Sequence, residues 1–166
     1  MLLRNRASRS ISYTAFLILM LLTISGCTKS SDSFIEKQVN PQIEVFGVKL
    51  MMDEAKVNEL LGSKGEKAMC VYGYEYDYTD DGINIGYSSK SNQVRRITSK
   101  NPETSIYGIK PGMELAKAYK TLSANGFKES NESKYVYSKE NIIFSIISMK
   151  STNADGLTIE IKPDEK

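Results

Sequence analysis

Alternating hydrophobic and polar positions mark two groups of strands. In the first group, residues 71–78 place four tyrosines on one side of a strand, and Asp80-Asp81-Gly82 has the composition of a hairpin turn. Further strands are predicted over residues 83–87 and 94–99. The second group repeats this order, with strands predicted over residues 135–138, 142–149 and 157–162. The pattern therefore predicts a three-stranded antiparallel meander in each half of the chain.

A helix is predicted ahead of each meander. The first covers residues 52–61 and ends at Gly62, since glycine is typical of C-terminal helix caps. The second covers residues 113–124 and ends at Asn125-Gly126. Its apolar residues follow the i, i+3, i+4, i+7 spacing of one helix face: Leu115, Ala118, Tyr119 and Leu122.

The two halves are related by an internal repeat with an offset of 61 positions. The block Val45-Phe46-Gly47-Val48-Lys49 aligns with Ile106-Tyr107-Gly108-Ile109-Lys110. Without a gap, the same offset pairs Tyr74 with Tyr135 and Tyr76 with Tyr137. Self-similarity at a fixed spacing indicates repeated structural units. We therefore predict an α+β fold of two tandem units, at residues 42–103 and 104–166, each with one helix and one three-stranded antiparallel meander.

Both predicted units open on the pattern Gly-(Val or Ile)-Lys-x-x-Met-(Asp or Glu)-x-Ala-Lys, beginning at Gly47 and at Gly108. This opening and the order of elements resemble the fold of β-lactamase inhibitory protein. They are also similar to the small outer-membrane lipoproteins of the β-barrel assembly machinery. The resemblance covers residues 42–162. Pro111-Gly112-Met113 matches the helix entry of such units, whereas residues 50–52 lack the glycine. A shared fold does not fix a function, and no functional residue is carried over.

The first 26 residues have the features of a lipoprotein signal peptide. A positive leader with Arg4, Arg6 and Arg9 precedes a run of about a dozen mostly apolar residues, which is too short for a membrane-spanning helix of roughly 20. Ile24-Ser25-Gly26-Cys27 follows and resembles the bacterial lipobox. The resemblance implies cleavage before Cys27 and attachment of diacylglycerol and palmitate-type chains to its thiol. An ordinary secretory signal that happens to contain a cysteine is the alternative. Residues 27–41 are predicted to be the lipidated cysteine and a flexible tether.

The charge of the chain limits the classes of partner that are expected. Removal of the three leader arginines leaves 19 of the 22 basic residues against 20 acidic ones, so the mature chain is close to neutral. Nucleic acid is therefore not an expected partner, because phosphate binding needs clustered cations. The expected partners are the membrane, through lipid on Cys27, and an envelope protein. The expected location is outside the cytoplasm on the cell membrane, or on the outer membrane in a Gram-negative host.

The residues with the strongest binding signal lie on the predicted tyrosine strand. Tyrosine is enriched in interfaces, so the row and a nearby cation are candidates for partner contact: Tyr72, Tyr74, Tyr76, Tyr78 and Arg96. The competing interpretation packs the row against the helices, with Glu75 and Asp77 facing water. We favour the inward interpretation, and expect Arg95-Arg96 to supply one exposed cation.

Catalytic chemistry has little support. The chain contains no histidine, which excludes Ser-His-Asp and Cys-His catalysis and imidazole metal sites. Cys70 is interpreted as a half-buried strand residue. The acidic cluster of Asp77, Asp80 and Asp81 is interpreted as turn chemistry, with calcium binding or carboxylate hydrolysis as alternatives. No catalytic residue, metal or cofactor is assigned. The expected function is a non-catalytic binding or adaptor lipoprotein, and the alternative is an inhibitor of an exported enzyme such as a β-lactamase or protease.

Overall fold

A computed structural model describes residues 30–62, 65–150 and 152–163. Cys27 and the predicted signal peptide lie outside the described residues. The first described segment is helical, with α1 at Ser30–Phe34, a π-helix at Ile35–Val39 and a 3-10 turn at Asn40–Gln42. Two longer helices follow, α2 at Glu54–Leu61 and α3 at Leu115–Ala124.

Over the described residues, ten strands accompany these helices. Two of them form a small antiparallel pair, β1 at Ile43–Glu44 and β6 at Ser105–Ile106. The other eight form one antiparallel sheet in the order β2-β3-β4-β5-β10-β9-β8-β7. Their bounds are β2 Glu66–Cys70, β3 Gly73–Tyr78, β4 Ile83–Ser88, β5 Val94–Ser99, β7 Lys128–Glu129, β8 Val136–Lys139, β9 Ile142–Ile147 and β10 Gly156–Ile161. This mixture of helices and antiparallel sheet confirms the α+β class.

One face of the sheet forms the hydrophobic core of the unit Ser33–Lys166. The alternation of each strand sends one set of side chains to this face, and α2 and α3 add Val57, Ala118 and Leu122, all fully buried. The inner face of the sheet contributes the largest part of the core: Tyr74, Tyr78, Ile83, Ile85, Tyr87, Ile97, Tyr137, Phe144, Ile146, Leu157 and Ile159. Burial of this apolar area is the main force that holds the helices on the sheet.

The opposite face of the sheet is polar and partly exposed. Thr98 and Thr158 hydrogen-bond through their Oγ1 atoms at 3.0 Å across the central β5–β10 pair. Arg96 donates to Glu75 across β4. Gly86 lies between their strands, where a Cβ would come 3.2 Å from Cβ of Arg96, so a glycine leaves room for the arginine stem.

The strands and the start of the folded region differ from the sequence prediction. Strands β2 and β7, at the two ends of the eight-stranded sheet, were not predicted. The predicted flexible tether over residues 27–41 is wrong for the part that the structure describes. Residues 30–42 are helical, and Ile35 and Val39 are 1% and 0% exposed. These two apolar residues lie on one side of the helix and join the core, so the folded region begins before the predicted boundary at residue 42.

Candidate interaction site

The predicted tyrosine row divides into an inner and an outer part. Tyr74 and Tyr78 are buried and Tyr76 is half-buried on the core face of β3, which confirms the inward interpretation for these three residues. The prediction is wrong for Tyr72. This residue precedes β3 in a two-residue turn with Val71, and 53% of it is exposed. Strand β3 begins at Gly73, so the alternation of inward and outward side chains covers residues 73–78 and does not extend back to Tyr72.

Glu54 holds the inner tyrosines at the start of α2. Its Oε2 accepts a hydrogen bond from the Tyr74 hydroxyl and its Oε1 accepts one from the Tyr76 hydroxyl, each at 2.7 Å. The helix start is fixed against β5, since Met51 N–H donates to the Val94 carbonyl at 2.7 Å. The hydrogen bonds from Tyr74 and then Tyr76 lower the pKa of Glu54, because they stabilise its charged form. The hydrophobic pattern of the sequence does not mark Glu54 as a functional residue.

The rings above Glu54 are packed closely. Tyr74 stacks on Tyr87 with a centroid distance of 5.2 Å, and Tyr76 meets Tyr74 edge-on at 6.1 Å. The Lys67 ammonium from β2 lies 4.0 Å from the Tyr74 ring centroid, a cation–π contact. Burial, followed by the bond to Glu54, raises the pKa of Tyr74 to about 12. The cluster therefore fastens α2 to the sheet and positions β2, and its tyrosines stay protonated at neutral pH.

We expect Glu54→Gln to destabilise the protein by about 1 kcal/mol at pH 7, because neither tyrosine hydrogen bond is then charge-assisted and the amide nitrogen cannot accept one of them. A carboxyl group whose pKa is lowered by folding stabilises the native state above its ordinary value of 4.5. That contribution disappears as the pH falls through the lower folded value. Urea unfolding of both proteins between pH 3 and pH 7 measures the difference. A gap that stays constant over this range would contradict the assigned role.

The two arginines of β5 are both largely covered. Only 10% of the Arg95 side chain and 28% of the Arg96 side chain is exposed, so the predicted exposed cation is wrong. The Arg95 guanidinium lies 4.8 Å from the Tyr72 ring centroid and 3.5 Å from Oε2 of Glu160. Arg96 pairs with Glu75. A carboxylate on the adjacent strand β10 accounts for the position of Arg95, and one on β3, beyond β4, accounts for that of Arg96; sequence spacing alone reveals neither.

Strand β2 is exposed along its length. It lies at the end of the sheet and hydrogen-bonds to β3 on one side. Its first four residues, Glu66, Lys67, Ala68 and Met69, are exposed, and Cys70 is half-buried as predicted. Large apolar side chains continue into the turn, with 79% of Met69 and 91% of Val71 exposed. We refer to β2 together with Val71 and Tyr72 as the edge patch.

Two residues of the acidic cluster, Asp80 and Asp81, lie in the predicted turn, whereas Asp77 lies in β3. Thr79–Asp81 is a 3-10 turn between β3 and β4, and Gly82 closes it with φ of 64°. Within the described ranges no three histidine, cysteine, aspartate or glutamate side chains are grouped to hold a metal ion. None of the helices over these ranges has the length and hydrophobicity that a membrane-spanning segment requires.

No family model, no curated protein and no solved structure matches the chain.

Proposed function

We propose that the chain is a lipid-anchored lipoprotein of the cell envelope that binds another protein without catalysing a reaction. The observation that carries the binding role is the edge patch, in which Met69, Val71 and Tyr72, within four consecutive positions of the chain, are all exposed. Exposed apolar groups in contiguous positions on a soluble surface are typical of interaction sites. The ring of Tyr72, which lies against the covered side chain of Arg95, adds a residue type that often dominates binding energy in interfaces.

The other end of the sheet supports this assignment by contrast. Strand β7 has two residues, Lys128 and Glu129, which are both charged and exposed. Short length and charge are the usual protection of an edge against unwanted pairing. Strand β2 has five residues and carries Met69 in the open. The two edge strands of the sheet therefore differ in length and in exposed apolar side chains, as expected if only β2 binds a partner.

The anchor is supported by the residues before the described region. Ile24-Ser25-Gly26-Cys27 has the spacing that lipidation requires. Two acyl chains give stable membrane attachment, since each buried methylene contributes about 0.8 kcal/mol, whereas one chain binds only marginally. An anchored module has a high local concentration near envelope proteins, so a weak interaction through the edge patch is sufficient.

We also propose that the fold arose from two tandem copies of a helix-and-meander unit. From one end of the sheet to its centre the strands follow in the order β2, β3, β4, β5, and from the other end in the equivalent order β7, β8, β9, β10. The helix entries share an unusual backbone: φ is 47° at Phe46 and 55° at Tyr107, and 66° at Met51 and 95° at Gly112. The members of each pair are separated by the repeat offset. Chance does not readily place two rare conformations at the same spacing.

Photo-crosslinking in intact cells tests the binding role. A crosslinking amino acid at position 69 is expected to join the chain to an envelope protein. Position 149 is the matched control, because Met149 is 87% exposed, similar to Met69, but lies away from β2 in the loop after β9. A defined adduct from position 69 and none from position 149 supports the proposal. Equal adducts from both positions indicate collisional contact and would refute it.

A further inference from the structure

We propose that β2 binds its partner by accepting an extended segment of that protein as a ninth, antiparallel strand of the sheet. The inference rests on the proposed binding function and adds the mode of recognition and the chemistry of the partner segment. Strand addition to a free edge obtains affinity from backbone hydrogen bonds and specificity from alternate side chains. The whole sheet is antiparallel, so the added strand is assigned the same orientation.

The backbone of β2 has two residues whose hydrogen-bonding groups face away from β3. Cys70 pairs with Gly73 across the two-residue turn, and Ala68 pairs with Glu75. In an antiparallel ladder the hydrogen-bonded pairs alternate with non-bonded pairs, starting from the pair that flanks such a turn. The N–H and C=O groups of Lys67 and Met69 are therefore directed outward. A segment placed beside β2 meets two donors and two acceptors.

The side chains of β2 define what the added strand must carry. Lys67 and Met69 share the face of Tyr76 and Tyr74, their partners on β3. A residue beside Lys67 is best acidic, and a residue beside Met69 is best apolar. Glu66 on the other face favours a basic neighbour. The added strand runs antiparallel to β2, so its residues face Met69, Ala68, Lys67 and Glu66 in that order. The preferred segment, from its N-terminus to its C-terminus, is therefore an apolar residue, any residue, an acidic residue and a basic residue.

A second copy of the chain fits this edge poorly. Antiparallel pairing of two β2 strands about Ala68 places Lys67 beside Met69 and Glu66 beside Cys70. Pairing about Met69 places Lys67 beside Val71 instead. In both registers neither charge of β2 has an opposite charge next to it, whereas a partner segment with adjacent acidic and basic residues satisfies both. Charge complementarity therefore favours a different protein.

Peptide binding to the full-length chain in detergent tests the inference. The matched probe carries Thr-Val-Thr-Glu-Lys, and a charge-swapped probe carries Thr-Val-Thr-Lys-Glu. Because the chain has no tryptophan, a tryptophan added outside this core reports binding by fluorescence. We expect saturable binding of the matched peptide, and about tenfold weaker binding of the swapped peptide, since two favourable charge pairs become unfavourable. Equal affinity of the two peptides, or no saturable binding of the matched one, overturns the proposal.

A proline variant distinguishes the contribution of backbone hydrogen bonds to peptide affinity from that of side-chain contacts. Met69→Pro removes an outward N–H and is expected to abolish binding of the matched peptide, whereas Met69→Thr keeps the N–H and weakens binding only about threefold to tenfold. Glu129→Pro on the opposite edge is the control and should leave affinity unchanged. Circular dichroism establishes that each variant is folded. If Met69→Pro retains the affinity of the wild type, strand addition is wrong.

The same variants distinguish this mode of binding from the binding function itself. Where position 69 crosslinks in cells but Met69→Pro does not reduce peptide affinity, the edge patch binds a partner without adding a strand. Where sedimentation shows dimers that Met69→Pro dissociates, the occupant is a second copy, and the assignment to a different protein fails. Neither result depends on identifying the cellular partner.

Discussion

Cells that express the Cys27→Ser variant are expected to incorporate no labelled palmitate into the chain and to release it from the membrane fraction. Serine has no thiol, so the thioether to diacylglycerol cannot form. Without acyl chains the protein loses the whole hydrophobic free energy of attachment, on the order of 0.8 kcal/mol for every buried methylene. Partition between membrane and soluble fractions is therefore expected to change from nearly complete to nearly absent binding. Metabolic labelling followed by fractionation measures both effects.

Cys70→Ser is the matched control for this experiment. Cys27 and Cys70 are the two cysteines of the chain, and Cys70 lies in β2 within the folded region. The control should label and fractionate like the wild type. Labelling that persists in Cys27→Ser and disappears in Cys70→Ser would show that the lipid is attached to Cys70 and not to Cys27. A wild-type chain that takes up no label would remove the anchor altogether.

Gly73→Ala is expected to destabilise the fold by about 3 kcal/mol, the largest single effect outside the lipid anchor. A Cβ on Gly73 would lie 2.1 Å from the Tyr87 carbonyl oxygen and 2.8 Å from the Ser89 nitrogen. Both are backbone atoms of the β4 side, so the clash is relieved only if β3 and β4 separate. The φ of 154° at Gly73 also disfavours an L side chain. Urea unfolding of the two proteins measures the loss.

Gly108→Ala separates crowding from backbone strain. Gly108 has φ of 72°, and a Cβ there would meet no atom within 4 Å. Its cost is therefore the conformational penalty alone, about 1 kcal/mol. Equal destabilisation by the two substitutions would show that the β3–β4 contact is less tight than the structure has it. Because β3 also holds β2, Gly73→Ala is further expected to weaken crosslinking from position 69.

Regular elements of the core could be predicted from the sequence because their side chains alternate between one buried and one solvated face. Strand β4 was predicted from the alternation of Ile83, Ile85 and Tyr87. Helix α3 was predicted from the helical spacing of Leu115, Ala118 and Leu122. Gly62 ends α2 with φ of 68°, as its position predicted. These features follow from local pattern, and tertiary packing reinforced them.

Strand β2 was not predicted because it lacks that alternation. Its residues Glu66 to Met69 are exposed on both faces, so no period of two appears in their hydrophobicity. The strand is held by its ladder to β3 and by Lys67 over the ring of Tyr74. The burial of Ile35 and Val39 was missed for a related reason. Two apolar residues four positions apart in a polar segment give too weak a helical pattern to separate from a tether.

The candidate site could be predicted only in part. Tyrosine alternation pointed to β3, but it could not show that Tyr72 lies in a turn beside Arg95. Glu54 was missed because the pairing of a helix residue with Tyr74 and Tyr76 depends on how α2 rests on the sheet. An acid in the first turn of a helix has an ordinary dipole explanation, and only the tertiary contact distinguishes it.

The most direct test of the account is the yield of the envelope-protein adduct from position 69 compared with position 149, measured in the wild-type and Cys27→Ser backgrounds. An anchored binding module with one interacting edge predicts a single prominent adduct from position 69 in the membrane fraction. It predicts a yield at least about tenfold lower from position 149, and a sharp reduction when the anchor is removed, because local concentration falls. Adducts that are the same from both positions, or unchanged in Cys27→Ser, would contradict it.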